Sequence, residues 1–545
     1  MTREFARASA YGEFIERLQG GLFFYKYQSL IRENDMNIHA FAPDAKYMTV
    51  EELLENGDWM DYVVEAVNHP LVDRNMIAEY CKIYSLSPDG KILTVPFYSI
   101  FEKKYVYMPI GFVDQIYATN GCCVGNTREE AWVHALSEMM ERHASLKMLT
   151  SGGSAPKISD EVIKRYPIVS KIIDDIRSSG EFDIDIFDYS IGNGFPVVST
   201  RIINKTNHSY RVNVAADPVF EIAFQRTLTE LMQGKNIHNF TAGHGGKIMG
   251  KVTDFPLSSN VVNQLETSSG MHTVDFFANE LTCNRQATEF ADNSSLNNKQ
   301  LLDLMLNLYK DLKKPLLVRN FSYLGFPCYR FVVPGFSEAL SIKLCDPVPE
   351  YSLGDEAATI MRNPKKADEF GLAMMLNHSK MMSNVIGRYN QLGRLSGIPM
   401  KSKQETLLLL ATTRAYASYR LGQYKNAIAF VQPCIKSEFT NPDDAAYLEC
   451  VNKYLELKLL NVDEDKIRVV LDKFFIKPVF ERLYKALDSG KTPYDDYLLE
   501  CDFKNCATCR HRELCSFELA KEINKNAGKV YTTFVNGQNE SEFTV

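Results

Sequence analysis

The sequence lacks any long hydrophobic run. Residues 406–412 form its most apolar helical stretch, which is far shorter than the ~20 apolar residues that a helix needs to cross a bilayer. A signal peptide is missing as well, because Glu13 and Glu16 lie where such a peptide has its apolar core. We therefore expect a cytoplasmic protein that does not associate with membranes.

An excess of basic residues is also absent. The chain has 61 Lys and Arg residues against 68 Asp and Glu residues, a net charge of −7, which argues against direct nucleic-acid binding. The twelve cysteines are scattered through a sequence without a secretion signal, so we expect most of them to be reduced and buried. The 545 residues exceed one hydrophobic core, and about three domains are expected.

What the sequence does contain is a repeated motif. Residues 9–17 (SAYGEFIER) recur at residues 134–142 (HALSEMMER), and each copy holds the pattern Glu-x-x-Glu-Arg. The shared positions are Glu13 with Glu138, Glu16 with Glu141, and Arg17 with Arg142. Two glutamates three residues apart lie on one face of a helix.

If the two helices meet, four carboxylates and two guanidinium groups face each other. The carboxylates repel unless a multivalent cation lies between them. Mg²⁺ fits, because it binds one or two protein carboxylates together with the phosphates of a nucleotide. The alternative is a solvated charged helix face, which is the better interpretation of a lone copy; the repetition favours a nucleotide–metal site.

The second copy follows a turn that contains Gly121 and Gly125. Thr127 and Glu130 have the spacing of a capping box, which predicts a helix over residues 128–149. The N-terminus of a helix binds anions, and Asn126 lies at this point. The alternative is that Glu130 only caps the helix.

We predict a mixed α/β (α+β) domain of two pseudo-repeated halves over residues 1–345. Alternating apolar residues predict strands around residues 182–191 and 195–203. Residues 243–270 are rich in Gly, Ser and Asn and predict an extended loop.

A further helix should begin at Asp217 and the proline that follows it. It carries Arg226 and Glu230 four residues apart, so both side chains share one face. The alternative is an intrahelical ion pair that contributes about 0.3 kcal/mol.

Strand patterns end after residue 345. Residues 346–495 are predicted to form an all-α, tetratricopeptide-like region, because residues 422–427 have the Gly-x-Tyr-x-x-Ala pattern between two helices. A plain helical bundle fits this pattern nearly as well. The tail, residues 531–545, is expected to be disordered.

Residues 496–530 form a cysteine-rich segment. Its four thiols are those of Cys501, Cys506, Cys509 and Cys515. Four thiols this close could form a tetrahedral Zn²⁺ site or hold an iron–sulfur cluster. The segment lacks two Cys-x2-Cys halves, so free thiols remain an equal alternative.

Taken as a set, these motifs resemble those of the YcaO family, in a collinear match over about residues 1–345. The motifs are Ser9-x3-Glu13-x2-Glu16-Arg17, Asn120-Gly121-x3-Gly125-Asn126-Thr127, Glu130, Glu138-x2-Glu141-Arg142, Arg226-x3-Glu230-x2-Gln233 and Pro334-Gly335-Phe336-Ser337-Glu338. No single motif would suffice. The chain most resembles the stand-alone bacterial type, which has a helical tail.

The resemblance implies that ATP and Mg²⁺ bind between the two pseudo-repeated halves. The nucleotide and metal contacts of the family fall on Glu13, Glu16, Cys123, Asn126, Glu130, Glu138, Glu141, Arg142, Arg226 and Glu230. The implied Mg²⁺ ligands are Glu13, Glu16, Glu138, Glu141 and Glu230. Arg142 and Arg226 are the implied catalytic residues, since they neutralise phosphate charge.

The sequence departs from the family at three points. Cys123 replaces the usual Ser, which weakens a phosphate or ribose contact because a thiol is a poor hydrogen-bond donor. His134 stands where Gln is expected. Family members also have several dozen residues before the first motif, and we expect a misassigned start codon, a partner that supplies them, or compromised activity.

The resemblance implies that ATP activates a backbone amide by phosphorylation. Azoline-forming members commonly end in Pro-x-Pro-x-Pro, which this sequence lacks, and this favours the stand-alone type. That type is linked, as an accessory factor, to β-methylthiolation of small-subunit ribosomal protein twelve. The expected partners are a protein or peptide substrate, such as that ribosomal protein, a methylthiotransferase, and a second copy in a homodimer.

Two alternative functions remain open at this point. One is an azoline- or thioamide-forming enzyme that modifies ribosomally synthesised peptides. The other is a non-catalytic scaffold with a vestigial nucleotide site, whose helical region binds a partner.

Overall fold

A computed structural model describes most of the chain. The described residues are 3–21, 42–83, 91–192, 194–232, 246–255, 257–339, 350–385, 396, 398, 400, 404–438, 440–538 and 543. The chain divides into two compact units: the first comprises Met1–Leu22, Phe41–Pro347 and Val530–Val545, and the second comprises Phe23–Ala40 and Val348–Lys529. The domain boundaries given above stay predictions.

The first unit contains two antiparallel sheets in its described part. The strands are β1 (Lys46–Met48), β2 (Ile92–Ser99), β3 (Lys104–Pro109), β4 (Cys122–Val124), β5 (Phe182–Asp188), β6 (Val197–Asn204), β7 (Tyr210–Ala216), β8 (Leu317–Asn320) and β9 (Cys328–Val332). One sheet has the order β1-β2-β8-β9-β4, with β3 also paired to β2, and the other has the order β5-β6-β7. β5 and β6 confirm the strands predicted at residues 182–191 and 195–203.

The longer helices of the first unit pack on these sheets or on one another. They are α1 (Arg3–Gln19), α2 (Val50–Asn56), α3 (Trp59–Val67), α4 (Arg74–Ile83), α5 (Arg128–Ser151), α6 (Pro167–Ser178), α7 (Phe220–Thr229), α8 (Leu257–Thr267) and α9 (Asn298–Asp311). Shorter helical turns occur at Ile110–Phe112, Val113–Tyr117, Asp160–Ile163, Glu230–Met232, Val252–Asp254, Val274–Phe277 and Asn279–Thr282.

Helix α5 is the centre of this unit, because it contacts strands of both sheets. Its apolar face carries the fully buried Trp132, whose ring meets the ring of Phe331 edge-on at 5.1 Å between centroids. Tyr309 of α9 donates a hydrogen bond of 2.7 Å to the carbonyl of Leu136. Each such buried side chain stabilises the fold by about 2 kcal/mol. The core thereby holds the polar face of α5 in one orientation.

The turn from β4 into α5 needs its glycines. Gly121 has φ +78°, and a methyl group there would overlap the carbonyl oxygen of Phe331. A Cβ atom at Gly125 would lie 2.7 Å from the amide nitrogen of Ala131. The chain therefore turns tightly enough for α5 to begin at Arg128, as predicted.

The second unit is helical in its described part. Its helices are α10 (Glu350–Arg362), α11 (Glu369–Val385), α12 (Gln404–Arg420), α13 (Tyr424–Ile435), α14 (Pro442–Leu459), α15 (Glu464–Phe474), α16 (Lys477–Asp488) and α17 (Phe517–Gly537), of which the part from Val530 belongs to the first unit. Single turns of 3₁₀ helix occur at Pro364–Lys366, Asp495–Tyr497 and Cys506–Thr508. Gly422, with φ +68°, joins α12 to α13 as a hairpin. The tetratricopeptide assignment is not confirmed and stays a prediction.

Three local predictions differ from the structure. Helix α8 lies within residues 243–270, where a loop was expected; residues 233–245 and 256 fall outside the described part. Helix α7 begins at Phe220 with Val219 as its N-cap, because the carboxylate of Asp217 accepts a hydrogen bond of 2.8 Å from the Val219 amide in the turn before the helix.

The tail is the third difference. Helix α17 continues to Gly537, where disorder was expected from residue 531. Tyr531 is buried and accepts a hydrogen bond of 2.8 Å from Arg319, while the ring of Phe543 stacks on Tyr98 at 4.9 Å between centroids. Burial of two aromatic side chains offsets the entropy of ordering the tail, and composition alone does not reveal such partners.

No helix within the described ranges is long and apolar enough to cross a membrane.

The glycine turn before α5 yields a stability prediction. Gly121→Ala should lower the free energy of unfolding of the first unit by about 3 kcal/mol, because left-handed strain adds to the overlap with Phe331. Gly192→Ala is the matched control: Gly192 has φ +83° and open space around it, so only the strain of about 1 kcal/mol applies.

Urea unfolding followed by tryptophan fluorescence measures this difference, since both tryptophans, Trp59 and Trp132, belong to the first unit. Equal losses for the two variants would contradict the tight packing of the turn.

Candidate functional site

Helix α1 carries the first copy of the repeated motif beside β4. A Cβ atom at Gly12 would lie 3.2 Å from the Cγ1 atom of Val124, so this glycine allows the close approach of helix and strand. Glu16 is 9% exposed and pairs with Arg17 at 2.6 Å. Glu13, one turn earlier, is largely exposed and lies 3.5 Å from the same guanidinium group.

Helix α5 carries the second copy. Glu138 pairs with Arg142 at 3.4 Å, and the Arg142 guanidinium also donates a hydrogen bond of 3.2 Å to the carbonyl of Leu265 in α8. Glu141 is 5% exposed and accepts a hydrogen bond of 3.2 Å from the amide of Ala216 at the end of β7. The carboxylate of Glu141 therefore faces the second sheet, whereas that of Glu138 is held by Arg142 on its own helix.

Helix α7 supplies the third part of the site. Arg226 lies 3.3 Å from the carboxylate of Glu230 and 3.8 Å from that of Glu141. Its guanidinium also donates a hydrogen bond of 3.0 Å to the carbonyl of Ala216. The ion pair that was the alternative interpretation of Arg226 and Glu230 is present, and Arg226 also reaches Glu141 of a second helix.

The two copies of the motif lie close enough to interact electrostatically. Burial is the main cause that raises the pKa of Glu16 to about 7; the carboxylates of Glu138 and Glu13 also raise this pKa, while Arg17 and Arg330 lower it. The structure thus brings glutamates from α1 and α5, far apart in the sequence, within interaction distance of one another.

A second carboxyl group responds to the same crowding. Burial raises the pKa of Glu141 to about 7, and the neighbouring Glu230 and Glu138 raise it against the lowering by Arg142 and Arg226. These glutamates in turn hold the pKa values of Arg142 and Arg226 above their usual range, although burial acts in the opposite direction.

We call the seven residues that converge here the acidic cluster. They are Glu13, Glu16, Glu138, Glu141, Arg142, Arg226 and Glu230. All seven were singled out from the sequence; the roles assigned to them stay predictions.

Asn126 and Glu130 lie together at the N-terminus of α5. The Asn126 side chain donates hydrogen bonds of 3.1 Å to both carboxylate oxygens of Glu130, and the Asn126 amide donates another of 3.2 Å. Thr127 caps the helix by accepting from the Glu130 amide at 3.2 Å. The Glu130 side chain therefore accepts from the amide of Asn126 rather than from that of Thr127. This differs from the predicted capping box, in which Thr127 and Glu130 would each accept from the backbone amide of the other.

Cys123 is the predicted contact that the structure places elsewhere. Its thiol is fully buried in the hydrophobic core and donates a hydrogen bond of 3.4 Å to the carbonyl of Tyr329. Its neighbour Cys122 shares a small cavity with Glu16 and Arg330. The reason is the alternation of side chains along a strand, which turns Cys122 toward the acidic cluster and Cys123 away from it.

The acidic cluster is surrounded by Arg17, which belongs to the repeated motif, and by three residues that sequence reasoning missed. Arg17 and Arg330 both lower the pKa of Glu16, Arg211 of β7 interacts with Glu230, and Asp217 interacts with Arg226. Arg17 follows directly from the repeated motif. The other three carry no sequence signal, because their neighbours come from distant strands and helices.

The cysteine-rich segment does not form an assembled metal site. In the described part of the chain, no group of three or more His, Cys, Asp or Glu side chains is placed to hold an ion. Burial raises the pKa values of Cys501 and Cys506 to about 11. The zinc or iron–sulfur site predicted at these cysteines is therefore not confirmed.

Comparison with known proteins decides the family. The model of the family described as "YcaO cyclodehydratase, ATP- and Mg²⁺-binding" matches residues 1–337. The chain belongs to the YcaO family.

Two curated relatives match over 62% of this chain. The Escherichia coli protein named "Ribosomal protein S12 methylthiotransferase accessory factor YcaO" is 28% identical over 352 residues. An uncharacterised Haemophilus influenzae protein is 28% identical over 341 residues. The chain spans 56% of the length of each of these two relatives.

Solved structures show a partial likeness. A heterocyclase in complex with substrate and cofactor covers 61% of this chain and 43% of its own, with a TM-score of 0.39 and 16% identity. YcaO from Methanopyrus kandleri, bound with AMPPCP and Mg²⁺, covers 45% of this chain and 64% of its own, with a TM-score of 0.29 and 16% identity.

The acidic cluster is rich in potential metal ligands. Its donors are carboxylate oxygens, the ligands that Mg²⁺ prefers. With Arg17 included, five carboxylates face three guanidinium groups, which leaves an excess of negative charge when all are ionised. Mg²⁺ usually binds one or two protein carboxylates, and phosphate oxygens and water complete its coordination. A nucleotide-bound Mg²⁺ ion therefore does not need three protein ligands that converge on one point.

The raised pKa of Glu16 predicts a pH-dependent stability. Between the ordinary value of 4.5 and the folded value of about 7, the folded protein binds more protons than the unfolded chain. The free energy of unfolding therefore falls as the pH rises through this window. Without metal, Glu16→Gln should stabilise the first unit at pH 8 by about 2 kcal/mol, and the gain should vanish near pH 4.5.

Thermal unfolding in a chelator, followed by tryptophan fluorescence, measures this effect. Glu13→Gln is the control, because Glu13 is 57% exposed and the change should alter stability little. A Glu16→Gln protein with the pH dependence of the unchanged protein would disprove the electrostatic account.

Proposed function

We propose that this YcaO protein uses ATP and Mg²⁺ to activate a backbone amide of a peptide or protein. The observation that carries the proposal is the convergence of the two Glu-x-x-Glu-Arg copies, which leaves the buried Glu16 and Glu141 with pKa values near 7. Carboxyl groups crowded in this way are costly unless a cation binds them. The description of the matching family model, which names ATP and Mg²⁺, supports the same interpretation.

The candidate metal ligands are the five glutamates of the acidic cluster, of which one or two would contact any one Mg²⁺ ion. Bound Mg²⁺ would offset the charge of the glutamates and of the phosphate oxygens. Exposure increases from Glu141 through Glu230 to Glu13, so the cluster has a buried end and an end open to solvent. We infer that the phosphates enter from the open end.

Arg142 and Arg226 are the proposed catalytic residues. Each is held by a glutamate at 3.3–3.4 Å and by one backbone carbonyl, so each guanidinium group is oriented before a ligand arrives. Donors held in this way stabilise charge that develops on the transferred phosphoryl group. Asn126 and the N-terminus of α5 are proposed to contact another part of the nucleotide.

The proposed chemistry converts a poor leaving oxygen into a good one. The amide oxygen forms a bond to the γ-phosphorus while the bond to the β–γ bridging oxygen breaks, and ADP leaves. After a nucleophile has added to the amide carbon, the phosphorylated oxygen departs as phosphate. The protein contributes positioning and charge neutralisation, and no residue is required to act as a covalent nucleophile.

The substrate we propose is a ribosomal protein. The Escherichia coli relative is named as an accessory factor of the methylthiotransferase that acts on ribosomal protein S12, and we propose the same accessory role, with a methylthiotransferase as partner. A second candidate is cyclodehydration of ribosomally synthesised peptides, which the description of the family model favours.

Nucleotide binding is the first test of this function. Calorimetric titration of the full chain with ATP should show binding that depends on Mg²⁺. Glu138→Gln should reduce ATP hydrolysis at least ~100-fold, as expected for loss of a group that acts on transferred phosphate, while the far-UV circular dichroism spectrum stays unchanged.

Glu129→Gln is the matched control for this experiment. It makes the same chemical change on the same helix, but Glu129 pairs with Arg128 at 2.9 Å in the first turn and lies outside the acidic cluster. Hydrolysis by Glu138→Gln at the original rate would refute the role of Glu138. Failure of the unchanged chain to bind ATP with Mg²⁺ would favour a non-catalytic scaffold.

The proposed substrate has a separate test. In an Escherichia coli strain that lacks its own YcaO, expression of this chain should restore the mass increment of one methylthio group on ribosomal protein S12, measured on the intact protein. The Escherichia coli YcaO gene is the positive control. Restoration by the control alone would count against the accessory role and leave amide activation to be tested on peptides.

A further inference from the structure

The cysteine-rich segment lies in a fixed backbone frame within the second unit. The amide of Cys501 donates a hydrogen bond of 3.2 Å to the carbonyl of Arg362, and the side chain of Asn363 donates one of 2.6 Å to the carbonyl of Cys501. Cys515 forms an antiparallel β-bridge with Met400. These contacts fix the backbone at Cys501 and at Cys515, and none of them involves a thiol group.

The loop between the two ends is held in the same way. Arg510 donates hydrogen bonds to the carbonyls of Asp496, at 3.0 Å, and of Leu498. The cysteines at positions 506 and 509 lie at the ends of one turn of 3₁₀ helix, in which the Cys509 amide donates to the Cys506 carbonyl at 3.3 Å. The backbone therefore folds the four cysteines into one compact segment.

Three of the four sulfur atoms accept a hydrogen bond from the backbone two residues later. The amide of His511 donates to the Cys509 sulfur at 3.4 Å, and that of Phe517 donates to the Cys515 sulfur at 3.4 Å. The backbone of Phe503 donates to Cys501 in the same manner. Backbone N–H groups directed at sulfur favour the thiolate over the thiol and orient it as a ligand. A repeated arrangement of this kind is not expected of thiols that only fill space.

An open cleft of about 530 Å³ gives access to three of the four cysteines. Cys501, Cys506 and Cys509 line it together with Lys365, Lys366 and Arg510. The cleft is also lined by Glu500 and Asp502, and Lys365 pairs with Glu500 at 2.7 Å. A divalent ion bound by four thiolates carries two excess negative charges, toward which the cleft offers Lys366 and Arg510. Four thiolates repel one another, so they converge only around a cation, and metal binding is expected to complete the arrangement.

We propose that Cys501, Cys506, Cys509 and Cys515 together bind a tetrathiolate metal centre in the second unit. Zn²⁺ and an iron–sulfur cluster share this ligand chemistry. The proposal is independent of the acidic cluster and of the function proposed for it.

Metal content of the full chain tests the proposal. Protein purified without oxygen, or reconstituted with Zn²⁺ or with Fe²⁺ and sulfide and then desalted, should contain about one zinc ion per chain, or about four iron and four acid-labile sulfide ions. Elemental analysis and the visible absorption spectrum distinguish the two. Cys509→Ser and Cys515→Ser should each lose most of the metal.

Cys283→Ser is the matched control, because Cys283 is a partly exposed free thiol of the first unit and should leave metal content unchanged. The absence of zinc and iron from the reconstituted chain would overturn the proposal, as would full metal retention in Cys509→Ser and Cys515→Ser. If these variants do not fold, Co²⁺ titration of the unchanged chain decides: tetrahedral thiolate charge-transfer bands support the site, and their absence overturns it.

Discussion

The burial of carboxylates close to one another is the constraint around which the acidic cluster is built. Glu16 and Glu141 are almost fully removed from water, and Glu138 acts on both of them. Such an arrangement opposes folding, so other interactions must hold α1 and α5 in place. The approach of Gly12 to Val124 and the packing of Trp132 against Phe331 provide that support. A fold that maintains this crowding is suited to bind a cation.

The three-stranded sheet supplies backbone groups that hold two members of the acidic cluster. Ala216 ends β7 and contacts two members through its own backbone: its amide donates to Glu141 and its carbonyl accepts from Arg226. Both faces of this sheet are buried, with α7 on one side and α5 on the other. Arg226 and Glu141 are therefore fixed relative to each other by backbone geometry, which does not depend on the side chain of residue 216.

Prediction from the sequence succeeded where the signal was local. The start of α5 followed from the glycine turn and from Thr127, and the pairing of Arg226 with Glu230 followed from their helical spacing. It failed where a distant partner decided the outcome. Tyr531 is ordered by Arg319 and Phe543 by Tyr98, and neither partner can be recognised from the composition of the tail.

The two adjacent cysteines of β4 show the same limit of prediction from the sequence. Cys122 and Cys123 are chemically identical neighbours, and the resemblance pointed to Cys123. The register of β4 against β9, in which Cys122 lies opposite Arg330, turns Cys122 toward the charged groups and Cys123 into the core. A shift of one residue in that register would exchange the two roles.

The amino-acid sequence by itself determined which ionisable groups exist, which of them share a helix face, and that one pattern occurs twice. The first and the third can be read directly from the order of residues. The second follows from helical periodicity, which relates residues three or four positions apart. Only the tertiary structure decided which carboxylates lose their water and which arginines oppose them. Those outcomes depend on the contact of α1, α5 and α7, and desolvation is a property of the space that these helices enclose together.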